Sequence, residues 1–196
     1  MPKQAFFKLN EAKQQAIMTA AFAEFKQYPF AEASINRMIK QAKISRGSFY
    51  LYFADKEDIY HYLMEQLLTL PFYQQLDQAM AGKKTNIFDF TGQCFVILAT
   101  IMKERTLFWQ QILQHSTAQQ LGQLFCFKRH DKELFEQYHL SQDHLRFKAV
   151  PEQRMLRYTL RSLLYHYLLQ VCEGEEIEST RSLLLKHMAT FKIGWQ

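Results

Sequence analysis

The chain has 196 residues, of which 48% are hydrophobic and only six are glycine and four proline. A chain of this length can bury a substantial core, and so few turn residues favour an all-helical fold over a sheet protein. The net charge of +5 lies entirely in the first 56 residues, where nine basic side chains accompany four acidic ones. A positive field localised in this way suits a polyanionic partner such as nucleic acid.

Neither secretion nor membrane insertion is expected. Residues 1–4 begin no apolar signal run, and the best apolar stretch, Phe90 to Met102, has 13 residues where a span needs about 20. We therefore expect a cytoplasmic protein with no membrane partner. The three cysteines, Cys94, Cys126 and Cys172, are widely spaced in apolar surroundings, which predicts buried free thiols in a reducing compartment.

Catalysis finds no support in the sequence. The chain contains no nucleophile motif, phosphate-binding glycine loop or carboxylate pair. The closest approach to a metal site is His139, Asp143 and His144, for which we expect surface or packing roles. The sequence thus predicts no enzyme, no cofactor and no metal.

The first long helix is predicted to begin after Asn10, a favourable N-cap, and to end before Pro29. Its apolar residues recur at helical spacing from Ile17 to Phe25, while Glu24 is placed on another face. Ser34 is a second N-cap candidate, and Ser45 a third, which predicts two short helices joined near Lys43. This is the pattern of a helix-turn-helix, whose second helix is free to enter a major groove.

The segment Ser45 to Ile59, SRGSFYLYFADKEDI, resembles the recognition helix and following turn of the TetR family of transcriptional regulators. Upstream residues agree in register: Ile17, Ala20, Ala21, Phe22, Phe25, Ser34, Ile39, Ala42 and Ile44. One departure is Lys43, where the family usually has the glycine of the turn. The resemblance implies an all-α protein with a three-helix DNA-binding head, residues 1–56, and a helical effector-binding and dimerisation domain, residues 57–196.

Candidate DNA contacts follow from the residue types together with this resemblance. Arg46 can donate two hydrogen bonds to a guanine edge, Gly47 allows a close backbone approach, and Ser48 can bind phosphate. The Tyr50 hydroxyl is placed for phosphate as well, and Tyr52 is left open between DNA contact and packing. The resemblance implies that Lys56 contacts the operator backbone. The predicted set is Ser34, Arg46, Gly47, Ser48, Tyr50, Tyr52 and Lys56, with Phe49 and Phe53 assigned to the core.

Beyond residue 56 the sequence predicts architecture but no motif. A helix from Asp55 is expected to end near Pro71, and others are expected at 88–102, 107–127, 134–139, 151–172 and 175–191. The family resemblance implies dimerisation through the last two helices, where we expect Leu160, Leu164, Leu168, Leu184 and Met188 at the interface. Aromatic and polar residues of the middle helices suggest an effector pocket that includes Trp109, His115 and Phe125.

The sequence therefore predicts a ligand-responsive transcriptional repressor that binds a palindromic double-stranded DNA operator as a homodimer. Its effector is an unknown small molecule. Two alternatives stay open at this point. One is a DNA binder without sequence preference, and the other is a small-molecule-binding or enzymatic helical protein whose head no longer reads an operator.

Overall fold

The computed structural model describes residues 1–83, 85–116, 140–141 and 150–194. Phe125, Cys126, His139, Asp143 and His144 lie outside these residues, as do the predicted helix 134–139 and the end of the helix predicted at 107–127. The described part is helical apart from two short parallel strands, β1 (Thr85–Asn86) and β2 (Leu140–Ser141). The expected all-α fold class is confirmed.

Four helices form the amino-terminal head: α1 (Gln4–Phe7), α2 (Glu11–Gln27), α3 (Ile35–Gln41) and α4 (Arg46–Tyr52). Two of the predicted N-caps are confirmed, because the side chain of Asn10 accepts from the Lys13 amide and that of Ser45 from the Ser48 amide. Tyr28 is extended ahead of Pro29, where α2 ends. The short helix α1 was not predicted.

The turn between α3 and α4 holds Lys43 in the left-handed region, with φ at 53°. The Ile44 amide bonds to the carbonyl of Ile39, which closes the carboxyl end of α3 in a Schellman pattern. A residue with a Cβ in this conformation costs roughly 1–2 kcal/mol. A lysine at the position where the family usually has glycine therefore strains this turn.

Lys43→Gly is expected to stabilise the protein by about 1 kcal/mol, since removing Cβ relieves more strain than the added chain entropy costs. For a chain of this size the unfolding midpoint should rise by roughly 2–4 °C, which circular dichroism can measure. Lys43→Ala is the matched control, because it removes the charge but retains Cβ. An equal rise in both variants would show that charge, not backbone strain, is responsible.

A long helical segment connects the head to the rest of the chain. It comprises α5 (Lys56–Met64), a π-helical turn (Glu65–Thr69) and α6 (Leu70–Met80). The expectation that this helix ends near Pro71 is wrong. Proline lacks an N–H and its ring crowds the carbonyl four residues back, but the wider turn, in which the Leu70 amide bonds to the Glu65 carbonyl, accommodates it.

The carboxy-terminal body is built around α7 (Ile87–Lys103), whose buried side chains lie on most of its circumference. It packs against α6 and against the last two helices, α9 (Val150–Cys172) and α10 (Ile177–Gly194). The remaining described helix, α8 (Thr106–His115), packs against both α2 and α9. Through α8 the body therefore touches the head directly.

Candidate nucleic-acid interface

An exposed polar network joins α3 to α4. Arg46 Nη1 donates to Asn36 Oδ1 over 2.7 Å, and Arg46 Nη2 lies 3.4 Å from the Tyr50 hydroxyl. All three side chains are exposed, that of Tyr50 by 38%. The network holds a guanidinium on the outer surface of the second helix of the helix-turn-helix, where a major groove would lie.

Asn36 belongs to this network but was not among the predicted contacts. Leu51, also on α4, is another residue that was missed, and it is 57% exposed. An exposed leucine on a groove-entering helix can contact the methyl group of thymine. Neither residue carries a sequence signal, because an asparagine or leucine in a short helix is common on any surface or in any core.

The first turn of α4 combines small residues with hydroxyls. Ser45 Oγ accepts from the Ser48 amide at 3.0 Å and lies 2.8 Å from Ser48 Oγ. Gly47 is exposed, and a Cβ added there would meet only Ser45 Oγ, at 3.8 Å. The Ser48 amide is thus already used by the cap. What this turn offers a phosphate is the pair of hydroxyls and the bare backbone at Gly47.

Tyr52 lies on the opposite side of α4 and is only 6% exposed. Its ring packs edge-on against Phe6, with the ring centroids 6.4 Å apart. The structure therefore favours packing over DNA contact, and the inclusion of Tyr52 among the contacts is corrected. Phe49 and Phe53 are 1% and 0% exposed, which confirms their assignment to the core.

Lys56 is occupied by contacts within the head. Its Nζ donates to the carbonyl of Ala33 at 2.9 Å and to that of Ala31 at 3.1 Å, and it lies 4.8 Å from the centre of the Phe30 ring. The ammonium thus fastens the start of α5 to the loop between α2 and α3. An ammonium has three donors, so one is left for a phosphate.

A buried carboxylate holds the start of α3. Glu24, placed by the sequence pattern on a polar face, is 4% exposed and accepts from the Ser34 amide at 2.6 Å. It also pairs with Arg37, whose guanidinium stacks 3.8 Å from the centre of the Tyr28 ring. The hydrogen bonds that Arg37 donates to the Glu24 carboxylate raise the pKa of Arg37. Ser34 occupies the predicted N-cap position of α3, but its side chain makes no cap hydrogen bond.

The five residues expected at a dimer interface point into the chain's own core. Leu160, Leu164, Leu168, Leu184 and Met188 are between 0% and 7% exposed in the single chain. A partner has almost none of their surface left to cover, so their assignment to an interface is corrected. Large apolar residues exposed on the same two helices are Met155, Tyr158 and Leu183, at 59%, 59% and 48%.

Two of the three residues suggested for an effector pocket are described. Trp109 is 0% exposed, and its indole N–H has no hydrogen-bond partner among the described residues. His115 is exposed at the end of α8. A buried N–H without an acceptor is costly and is uncommon in proteins. Of the two, Trp109 is therefore the one whose chemistry calls for an acceptor.

The described cysteines are free and buried, as the sequence predicts. Burial raises the pKa of the Cys94 thiol, and burial followed by the charge of Glu173 raises that of Cys172 to about 11. Both thiols therefore stay protonated and unreactive at neutral pH. Over the described ranges, no three histidine, cysteine or carboxylate side chains are grouped to hold a metal ion. Within the same ranges every helix is too short or too polar to cross a membrane.

An all-helical chain with an exposed helix-turn-helix and a basic head defines the class of helix-turn-helix DNA-binding proteins. Residues 17–63 match the family model described as "Bacterial regulatory proteins, tetR family". The match covers most of α2, the helix-turn-helix and nearly all of α5, so this part of the chain is a DNA-binding head of the TetR type.

Individual proteins are similar to this chain in sequence or in fold. The A-factor receptor protein of Streptomyces griseus is 36% identical over 62 residues, which is 31% of this chain and 22% of that protein, so the match spans about a fifth of the relative. Among solved structures, a TetR-family regulator from Syntrophomonas wolfei aligns over 96% of this chain and 98% of its own, with a TM-score of 0.65 and 17% identity. NalD of Pseudomonas aeruginosa aligns over 93% and 97%, with a TM-score of 0.63 and 18% identity. At these identities the two structures attest to the fold alone.

Proposed function

We propose that this chain is a cytoplasmic, homodimeric repressor that binds a palindromic operator. Its affinity for the operator decreases or increases when a small molecule binds the carboxy-terminal body. The observation that carries the proposal is the exposed network of Arg46, Asn36 and Tyr50 on a helix-turn-helix. An arginine presented on such a helix can make the bidentate contact with guanine that specifies a base pair.

Two copies are needed for useful specificity. A helix of seven residues such as α4 contacts too few base pairs to distinguish one site from the many competing sites in a genome. A two-fold dimer doubles the length of DNA sequence that is recognised. The exposed apolar side chains of Met155, Tyr158 and Leu183 supply the surface that a second copy would cover.

The Trp109 indole supports an effector with a hydrogen-bond acceptor attached to an apolar body. Its N–H has no partner among the described residues, and its α8 neighbour Phe108 stacks on Phe22 of α2, with ring centroids 4.8 Å apart. An effector that accepts from Trp109 would therefore bind one residue away from a contact with the head.

Two polar contacts strengthen this link between α8 and the head. With its amide assigned from its hydrogen-bonding surroundings, Gln111 donates to the Lys26 carbonyl at 2.9 Å and accepts from the Tyr28 amide at 3.2 Å. The Tyr60 hydroxyl bonds to Ser116, and burial raises the pKa of Tyr60 to about 12, so it remains a donor at neutral pH. A shift of α8 would thus move the carboxyl end of α2 and the start of α5.

Selection from a randomised duplex pool tests the proposed function. The full chain should enrich an inverted repeat whose half-sites are about 10 base pairs, or a multiple of that, apart. Enrichment of no sequence despite retained DNA binding would instead identify a binder without sequence preference. Absence of any DNA binding would favour a helical protein whose head no longer reads an operator.

Gly47→Ala examines how closely the backbone approaches DNA. The added methyl has room in the free protein, and alanine is the better helix former, so the unfolding midpoint should stay level or rise. DNA affinity should nevertheless fall about tenfold or more, the equivalent of roughly one phosphate hydrogen bond lost per half-site. Titration of the selected duplex by fluorescence anisotropy measures this, and an unchanged affinity would show that the DNA backbone stays away from Gly47.

A further inference from the structure

The amino-terminal segment, residues 2–9, packs across the carboxyl end of the recognition helix α4. Phe6 is its anchor, at 1% exposure, with its ring 5.0 Å from that of Phe53 and 5.5 Å from that of Tyr62. Pro2 is buried as well. This segment is therefore part of the core of the head and has a fixed position relative to α4.

Lys3 donates twice to the carbonyl groups at the end of α4. Its backbone N–H bonds to the Tyr52 carbonyl and its Nζ to the Tyr50 carbonyl, both at 2.8 Å. The last four carbonyls of a helix lack partners inside it, and a cation there is attracted to the negative end of the helix dipole. Because α4 has only about two turns, these two bonds constrain the position of a large part of the helix.

Tyr50 connects this contact to the DNA-facing surface. Its carbonyl receives the Lys3 ammonium, while its hydroxyl lies 3.4 Å from Arg46 Nη2 and its ring lies 5.6 Å from the Arg46 guanidinium carbon. A displacement of the Tyr50 backbone would therefore displace the side chain against which Arg46 rests.

We infer that Lys3 is a positioning residue for operator recognition: it holds the end of α4, and through Tyr50 it sets the place of Arg46. This inference rests on the proposed function. It differs from a direct role for Lys3 on DNA, and the salt dependence of binding distinguishes the two roles. A lysine that contacts phosphate would contribute to the salt dependence of binding, whereas one that acts through Arg46 would not.

The test compares Lys3→Met with Lys8→Met on the duplex that the unmodified chain selects. Both variants lose one positive charge from the same segment, but Lys8 is exposed and its side chain makes no hydrogen bond to α4 among the described residues. Lys3→Met should bind about tenfold more weakly than Lys8→Met, the order of one charge-assisted hydrogen bond. Their salt slopes should match, the unfolding midpoint of Lys3→Met should be lower by only a few degrees, and Lys3→Arg should restore most of the affinity.

Combining each lysine variant with Arg46→Ala completes the test. If Lys3 acts through Arg46, the tenfold difference should shrink to about twofold or less in that background, as expected for coupled residues. A full tenfold difference there would overturn the inference. So would a salt slope shallower than that of Lys8→Met by about two units, which would indicate a phosphate contact in each subunit.

Equal binding by Lys3→Met and Lys8→Met would overturn the inference and leave the proposed function in place. An affinity loss that arises only because Lys3→Met is partly unfolded at the assay temperature would also overturn it, because the role would then be structural only. If the unmodified chain selects no duplex, the proposed function fails first and the positioning role fails with it.

Discussion

Arg46→Ala should remove the preference for one base pair in each half-site of the operator. A bidentate contact between arginine and guanine contributes about 1–3 kcal/mol of discrimination, so the two copies in a dimer together account for roughly 2–6 kcal/mol. Arg46 is free to make this contact, since its hydrogen-bond partners Asn36 and Tyr50 are themselves exposed. Selection from a randomised pool by the variant should recover a motif that has lost information at one symmetric pair of positions.

Arg105→Ala is the matched control for this experiment. Arg105 lies at the start of α8 and pairs only with its neighbour Glu104 among the contacts described, so its removal changes the net charge equally. The control should select the unmodified motif with slightly lower affinity. If Arg46→Ala also selects the unmodified motif, Arg46 does not read a base, and Asn36 and Leu51 become the first candidates in its place.

Local signals in the sequence predicted the head well. A helix cap depends on one side chain and an amide three residues later, so the caps at Asn10 and Ser45 can be predicted without tertiary information. The left-handed turn at Lys43 is likewise a local property of a helix end. The exposed positions of Arg46, Gly47 and Tyr50 follow once α4 is placed, because the buried Phe49 and Phe53 fix its rotation.

What the sequence did not predict depends on contacts between distant segments. The segment around α1 has four helical residues without a side-chain cap, and only its packing against α4 and α5 gives it a place. Glu24 looks like a surface residue until the Ser34 amide and Arg37 are brought to it. The sequence gives no sign that Lys56 has partners, because the two carbonyls that accept from it lie in the loop after α2, more than 20 residues away.

The face of α9 proposed for a dimer interface illustrates the same limit. Its apolar residues cover much of the helix circumference, so periodicity alone does not tell which stripe faces the chain's own core. Packing against α7, α8 and α10 settles this point, since Leu160, Leu164 and Leu168 are buried while Met155 and Tyr158 are exposed. The candidate interface therefore moves to the opposite face of the same helix.

Tyr158→Glu should convert the protein from a dimer to a monomer. An interface across the exposed face of α9 would bury the new carboxylate once in each subunit, and a buried charge without a partner costs about 3–5 kcal/mol. Met155→Glu, one helical turn away, should act in the same direction. Sedimentation velocity measures the mass, and the operator affinity should fall at least a hundredfold because each head would then bind alone.

Leu107→Glu separates loss of the interface from the general effect of an added carboxylate. Leu107 is 68% exposed on α8, so this control places the same charge at an exposed apolar helical position outside α9 and α10. It should remain a dimer, with operator affinity within about threefold of the unmodified chain, as expected for a distant surface charge. Because Tyr158 and Leu107 are both exposed in the single chain, neither Tyr158→Glu nor Leu107→Glu should change the fold of the monomer. If Tyr158→Glu and Met155→Glu both remain dimers, the two copies do not meet through this face of α9, and the operator would have to be read through a different pairing of the subunits.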